Sequence, residues 1–261
     1  MLKNHFLYSY AGNKRQEADT LINLINFNNI ENIIEPFCGS SALSFSIWKK
    51  YKNKFNYYLN DNDEELINIY KLLKEDTPEH IEEEVNKLKN SVSNKEDWLK
   101  LVNEYKETKN IYLFIYITKY STMSRFGFYR IKPSKSPFKI TDETKIFIDF
   151  IKSPNVIISN NDWFNIFDKF KDDNTTIFLF DPPYLVSCNM FYNLGIKEQK
   201  LNIYEYFFNN KIESFKSHIY LILEHVWIIK ALYRDSKFLS TYGKKYEVSK
   251  KNTEHVIIYN K

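Results

Sequence analysis

The stretch Ile30–Tyr51, IENIIEPFCGSSALSFSIWKKY, holds a short apolar run, a turn with proline and glycine, and a longer run with helical spacing. It reads as a strand at Asn32–Ile34, a tight loop and a helix. Just downstream NYYLNDNDEELINIYKLL repeats the pattern, with a strand at Tyr57–Leu59 and a helix from about Glu64. Strands alternating with helices predict a parallel sheet covered by helices. Upstream, YSYAGNKRQEADTLINLINF gives a short extended piece and an amphipathic helix. Far downstream, NVIISNNDW, TTIFLFDPPY, SHIYLILEH and EHVIIYNK read as further strands.

Between these blocks the texture changes. DTPEHIEEEVNKLKN places Thr77 at an N-cap, Pro78 at the first helical position and acids in the first turn, a strong helix start. KEDWLKLVNEYKETKNIYLFIYITKY continues as helix, and STMSRFGFYRIKPSKSPFKITDE reads as loop or hairpin. The expected fold class is therefore α/β. A core at 1–63 and 151–261 carries a mainly helical insertion with a hairpin at 64–150.

The totals are compatible with that plan. A chain of 261 residues fits one large domain or a core with an inserted module. At 43% hydrophobic and 27% charged the composition is globular rather than disordered. No apolar run reaches the roughly 18 residues of a membrane span, and the N-terminus lacks a secretory h-region. Cys38 and Cys188 lie in unrelated contexts, which argues against a disulfide framework or a metal site and for a reducing, intracellular compartment. Lysine, asparagine, isoleucine and tyrosine are abundant and there are only 5 glycines, so each Gly, Pro and Arg is informative.

One such place is Asp181-Pro182-Pro183-Tyr184. Two prolines stop a strand and fix the backbone. The strand before them is apolar throughout, as a central parallel strand is, and the turn lies at its carboxyl end, where such sheets bind ligands. A fixed turn lets the Asp181 carboxylate and the Pro182 carbonyl converge on a planar exocyclic amine. Holding both amine protons draws the lone pair out of conjugation and makes the nitrogen a nucleophile. Tyr184 is placed to stack on the base. An ordinary strand-ending turn is the competing reading.

Other signals follow the remaining strands. Glu35-Pro36-Phe37-Cys38-Gly39-Ser40-Ser41 opens a helix with a close-approach loop. Asp61 ends the next strand, either to accept from ribose hydroxyls or to cap a helix. Tyr10-Ala11-Gly12-Asn13-Lys14 supplies a ring, a turn and a cation. Asn161-Asp162-Trp163 offers an acceptor and an indole for an adenine ring, or a cap and a core tryptophan.

Taken in order, AGNK, EPFCGS, ND, a basic insertion, NDW and DPPY resemble the Dam-type (D12 class) DNA adenine N6-methyltransferases over nearly the whole chain. Ser41 departs from that family's loop pattern, which has a final glycine. The resemblance implies a Rossmann-like methyltransferase core, S-adenosylmethionine as cofactor and transfer to the N6 amine of a flipped-out adenine. It makes Tyr10, Gly12, Lys14, Glu35, Phe37, Gly39, Asp61, Asp162, Trp163 and Asp181 the cofactor shell. Asp181, Pro182, Pro183 and Tyr184 become the catalytic corner, with no metal. Leu223-Glu224-His225 fits the family, but the residues just before it are apolar. No general base is assigned, because the amine loses its proton only after attack.

Double-stranded DNA is the expected partner. From Thr108 to Thr141 there is no acidic residue, while Lys109, Lys119, Arg125, Arg130, Lys132, Lys135 and Lys139 lie inside the window. Phe126, Phe128, Tyr129 and Phe138 interleave with them, suited to phosphate contact with insertion or stacking. The resemblance places Met123 and Arg125 in a recognition hairpin. Met123, Arg125, Arg130, Lys132, Lys135 and Lys139 are the expected DNA contacts. No arginine stands at 139–141, where one would read guanine, so a GATC site is not implied. A monomer or weak dimer on DNA is expected, in a prokaryotic cytoplasm or, for a viral protein, in cytoplasm or virion. RNA adenine, a protein glutamine, or an inactive nucleic-acid-binding role are the alternatives.

Overall fold

In the computed structural model, residues 4–8, 10, 12–122, 130–131, 136–184, 196–234, 238–245 and 252–260 are described. Nine strands occur among them: β1 Asn32–Glu35, β2 Asn56–Asn60, β3 Ser121–Thr122, β4 Arg130–Ile131, β5 Val156–Ser159, β6 Thr176–Phe180, β7 His218–Glu224, β8 Phe238–Lys245 and β9 Asn252–Tyr259. Seven form one sheet in the order β5-β2-β1-β6-β7-β9-β8, and β3 pairs with β4 apart from it. The neighbours from β5 to β7 are parallel. β9 runs antiparallel to both β7 and β8. From β1 the chain builds to one side through β2 and β5, then to the other through β6 and β7. The switch point lies between β1 and β6, where open sheets of this kind leave a crevice.

Alternation along the central strands feeds two cores. Ile33, Ile177 and Leu179 face one, with Phe45, Tyr70, Phe147 and Phe150. Ile34, Phe178 and Phe180 face the other, with Trp163, Phe167 and Phe207. A strand buried on both faces has no polar side, which is why TIFLF is apolar at every position after its threonine.

The helices on the first side are α1 Ala18–Asn23, α2 Ala42–Tyr51, α3 Glu64–Glu75 and α7 Asp142–Lys152. Between α3 and α7 come α4 Pro78–Ser91, α5 Lys95–Thr108 and α6 Ile111–Tyr120. α8 Trp163–Phe170, α9 Ile196–Asn209 and α10 Trp227–Leu232 follow. Thr77 accepts from the His80 N–H, as the expected cap of α4. The long helical run read from Lys95 is two helices: Lys109 is left-handed (φ 54°), and Asn110 caps the start of α6 through the Tyr112 N–H. α6 leads directly into β3. α7, within the region read as insertion, packs Phe147 on Phe45 and Phe150 on Trp48 and Tyr57. Strand β8 and helices α7 to α10 were not legible as elements.

Candidate active site

Four loops at the carboxyl ends of β1, β2, β5 and β6 meet at the switch point. Asn60, wholly buried, stitches three of them together. Its Nδ2 donates to the carbonyls of Pro36 (3.1 Å) and Asn161 (2.9 Å), and its Oδ1 accepts from the Asn161 N–H (3.1 Å) and the Ser159 hydroxyl (2.7 Å). The Cys38 N–H donates to the Asn60 carbonyl (2.8 Å). An asparagine has donors and acceptors enough for this, and a buried one is costly without such partners.

In the loop after β1, Gly39 is left-handed (φ +49°), and a Cβ there would lie 3.0 Å from the Tyr10 ring. Only glycine meets both conditions without strain. Ser41, where a glycine was expected, is also left-handed (φ 50°) and bonds the Tyr70 hydroxyl (3.0 Å). Glu35 is buried and accepts from the Ser44 N–H (2.6 Å) in the first turn of α2. Burial pushes its carboxyl up to about 8, against the pull of the Ser44 bonds. The buried Ser40 hydroxyl, beside Gly39, has no hydrogen-bond partner among the described residues.

After β2, Asp61 accepts from the Gly39 N–H (3.0 Å) and the Asp63 N–H (3.1 Å). Asp63, not Asp61, caps α3 through the Leu66 N–H. The helix-cap reading therefore belongs to Asp63. After β5, Asp162 does cap α8, accepting from the Phe164 N–H (2.8 Å). Trp163 packs in the second core, its ring 6.3 Å from Phe37 and 5.9 Å from Phe180.

After β6, Asp181 is partly exposed. Lys14, from the N-terminal loop and itself buried, forms an ion pair with its Oδ2. The Tyr184 hydroxyl donates to its Oδ1 (3.0 Å). The Lys14 ammonium lies 5.2 Å from the Tyr184 ring centroid.

Every residue that the sequence assigned to the cofactor lines one cavity of about 600 Å³, with Asp181 and Pro183 at one part of its wall and Asp61 at another. Pro182 and Tyr184 do not line it. Tyr184 is buried (8% exposed), turned toward Asp181 rather than open for stacking. Tyr105, Lys109, Ile111 and Phe114, from α5, α6 and the turn between them, also form its wall. No local signal pointed to Tyr105, Ile111 and Phe114, because their part in the wall is made by a fold across distant segments; Lys109, read in the sequence as part of the basic window, lies on this wall too.

Of the expected DNA contacts, Met123, Arg125, Lys132 and Lys135 lie outside the described residues. Arg130 is placed as backbone in β4, opposite Thr122. Lys139 is exposed. Phe138 is buried (3% exposed) and holds α4 through two bonds with the Asn86 side chain, so it is a core ring rather than a stacking one. His225 bonds Glu254 (3.0 Å), a surface pairing between the end of β7 and β9. No helix of the described residues is long and apolar enough to cross a membrane.

A family model described as D12 class N6 adenine-specific DNA methyltransferase matches residues 10–245. The chain is similar to the type II methyltransferase M.MjaIII of Methanocaldococcus jannaschii, 29% identical over 202 residues, 67% of each chain. Among solved structures, the rRNA methyltransferase aviRa of Streptomyces viridochromogenes aligns with a TM-score of 0.41 and 11% identity. That alignment covers 99% of this chain and 90% of the other.

Proposed function

The chain belongs to the D12 class of N6 adenine-specific DNA methyltransferases, and from that premise we propose that the cavity takes S-adenosylmethionine and that the Asp181 corner receives adenine from duplex DNA. The observation that carries this reading is the single cavity joining Asp61 to Asp181, with Lys14 between the N-terminal loop and the corner.

The donor set fits the cofactor. Asp61 sets a carboxylate, an acceptor for ribose hydroxyls, on the cavity wall. Phe37 and Trp163 offer flat apolar surface for a purine, and Asp162 an acceptor beside it. The unpartnered Ser40 hydroxyl and the buried Lys14 cation suit the polar amino-acid end. Gly39 keeps that wall thin. When bound, the cofactor supplies a methyl group on a sulfonium.

The chain's own residues then do three things. The turn after β6 fixes Asp181 as acceptor for the N6 amine, favouring a nitrogen with its lone pair free. Aligning amine and methyl at near-attack distance supplies most of the acceleration. The walls from α2, α3 and the α5–α6 turn shield the reaction from water. Adenine must leave the stack to reach this depth, since a duplex hides its amine.

We assign 1–63 and 151–261 to the catalytic core, and 64–150 to recognition of duplex DNA by a monomer or weak dimer. In that region α6 feeds the β3–β4 ladder, and Met123, Arg125, Arg130, Lys132, Lys135 and Lys139 meet the phosphates and bases. Similarity to a type II methyltransferase suits a role beside a restriction enzyme.

Asp181→Ala tests the assignment. Methyl transfer to unmodified genomic DNA should fall at least about a hundredfold, while DNA affinity by filter binding stays near wild type. A variant that methylates at the wild-type rate removes Asp181 from the mechanism.

A further inference from the structure

Behind the Asp181 corner stands His255, on β9, with no exposed surface. β9 runs antiparallel to β7 with Glu224 and His255 in register. The start of β9 is therefore level with the carboxyl end of β7, and β7 lies beside β6. Strand pairing thus brings a residue from near the chain's end to the turn at 181–184. His255 Nδ1 lies 3.2 Å from the Tyr184 hydroxyl. The two rings meet edge to face at 89°, with centroids 5.0 Å apart. Tyr242 of β8 brings its hydroxyl to 3.4 Å from the same nitrogen.

A phenol has one proton. Tyr184 directs its proton to Asp181 Oδ1. With that proton committed, a hydrogen bond between the phenol oxygen and His255 requires the oxygen to accept and Nδ1 to carry the proton. The result is a chain of donors ending on the carboxylate: His255 Nδ1–H to Tyr184, and Tyr184 O–H to Asp181. Lys14 holds the other carboxylate oxygen. Each oxygen has two lone pairs, so both retain capacity for an amine N–H.

We propose that His255 is a positioning residue for methyl transfer. Its Nδ1–H holds the Tyr184 hydroxyl on Asp181, and so fixes the plane of the carboxylate toward the target amine. The terminal torsion of an aspartate is broad, and nothing in the Pro-Pro turn itself sets it. A carboxylate gripped at both oxygens has one orientation. The neighbours of His255 along β9, Val256, Ile257 and Ile258, are apolar and buried. Burying an imidazole among them carries a desolvation cost that packing alone does not require. This inference rests on Asp181 as the acceptor of the amine.

The test uses the full chain in single turnover, with radiolabelled S-adenosylmethionine and unmodified genomic DNA. His255→Asn keeps an amide near the Nδ1 position, His255→Gln moves it toward the Nε2 position, and His255→Leu removes it. Each is made in the wild-type and the Tyr184→Phe backgrounds. His255→Leu and His255→Gln should slow transfer about tenfold or more, with the half-saturating DNA concentration little changed, and His255→Asn should recover most of the rate. In the Tyr184→Phe background the hydroxyl is gone, so His255→Gln should cost less than about twofold further. Equal losses in both backgrounds, an asparagine variant as slow as the glutamine one, or no slowing at all would each overturn the proposal. A wild-type protein that transfers no methyl group would instead overturn the functional reading on which it rests.

Discussion

Glu35 shows what one buried carboxyl does to the whole chain. Its folded value of about 8 lies above the ordinary 4.5, because burial opposes its charge. The folded state therefore keeps a proton that the unfolded state has lost. Stability must fall as pH rises from about 4.5 through about 8. Glu35→Gln should flatten that slope, with a ceiling near 5 kcal/mol from the size of the shift. Urea midpoints at pH 5 and pH 8 read it directly, and an unchanged slope assigns the pH dependence elsewhere. At this scale the sequence was half legible. It placed Asp61 and Asp162 in the site but left each open as a helix cap. Backbone geometry separates them: α3 is capped two residues later, by Asp63, and α8 is capped by Asp162 itself.

The elements depend on how their ends are tied. Asn60 links the loops after β1, β2 and β5 through four side-chain bonds. Asn60→Ala would leave the buried carbonyl of Pro36 and the carbonyl of Asn161 without that donor, at a cost of about 1–3 kcal/mol. The same loops line the cavity, so S-adenosylmethionine affinity by calorimetry should fall together with the urea midpoint. Loss of one without the other would separate loop order from cofactor binding. Strands β1, β2, β5, β6, β7 and β9 were legible from short apolar runs between turn residues, and α4 from its cap. β8 was not, since FLSTYGKK has neither a clear alternation nor a long apolar run. The break between α5 and α6 was hidden as well, because a lysine in the left-handed region leaves no compositional mark.

At the scale of the whole molecule the question is how far core and insertion are one body. Phe147 of α7 is fully buried, with ring contacts to His5, Phe6, Phe45, Tyr70 and Phe150. Phe147→Ala should cost about 3–5 kcal/mol. Because its neighbours come from the N-terminal segment, α2 and α3, far-UV and near-UV signals should still move in one transition. Two resolved transitions would mean that 64–150 unfolds independently. DNA binding belongs to this scale too. Arg125→Ala should weaken DNA affinity and reduce its salt dependence by about one charge, leaving cofactor affinity unchanged. Equal loss of both would point to a folding defect.

The sequence by itself determined the α/β class, the parallel strands of the sheet and the motifs that line the cavity. Those features are written locally, in apolar runs that must be buried on both faces and in Gly, Pro and Asp at fixed places after strands. Only the tertiary structure decided which acid caps a helix, which rings stay in the core and which residues of the insertion close the cavity. It alone brought His255 behind Tyr184. Such contacts arise from strand register and helix packing between segments far apart in the chain, and no short window of residues contains them.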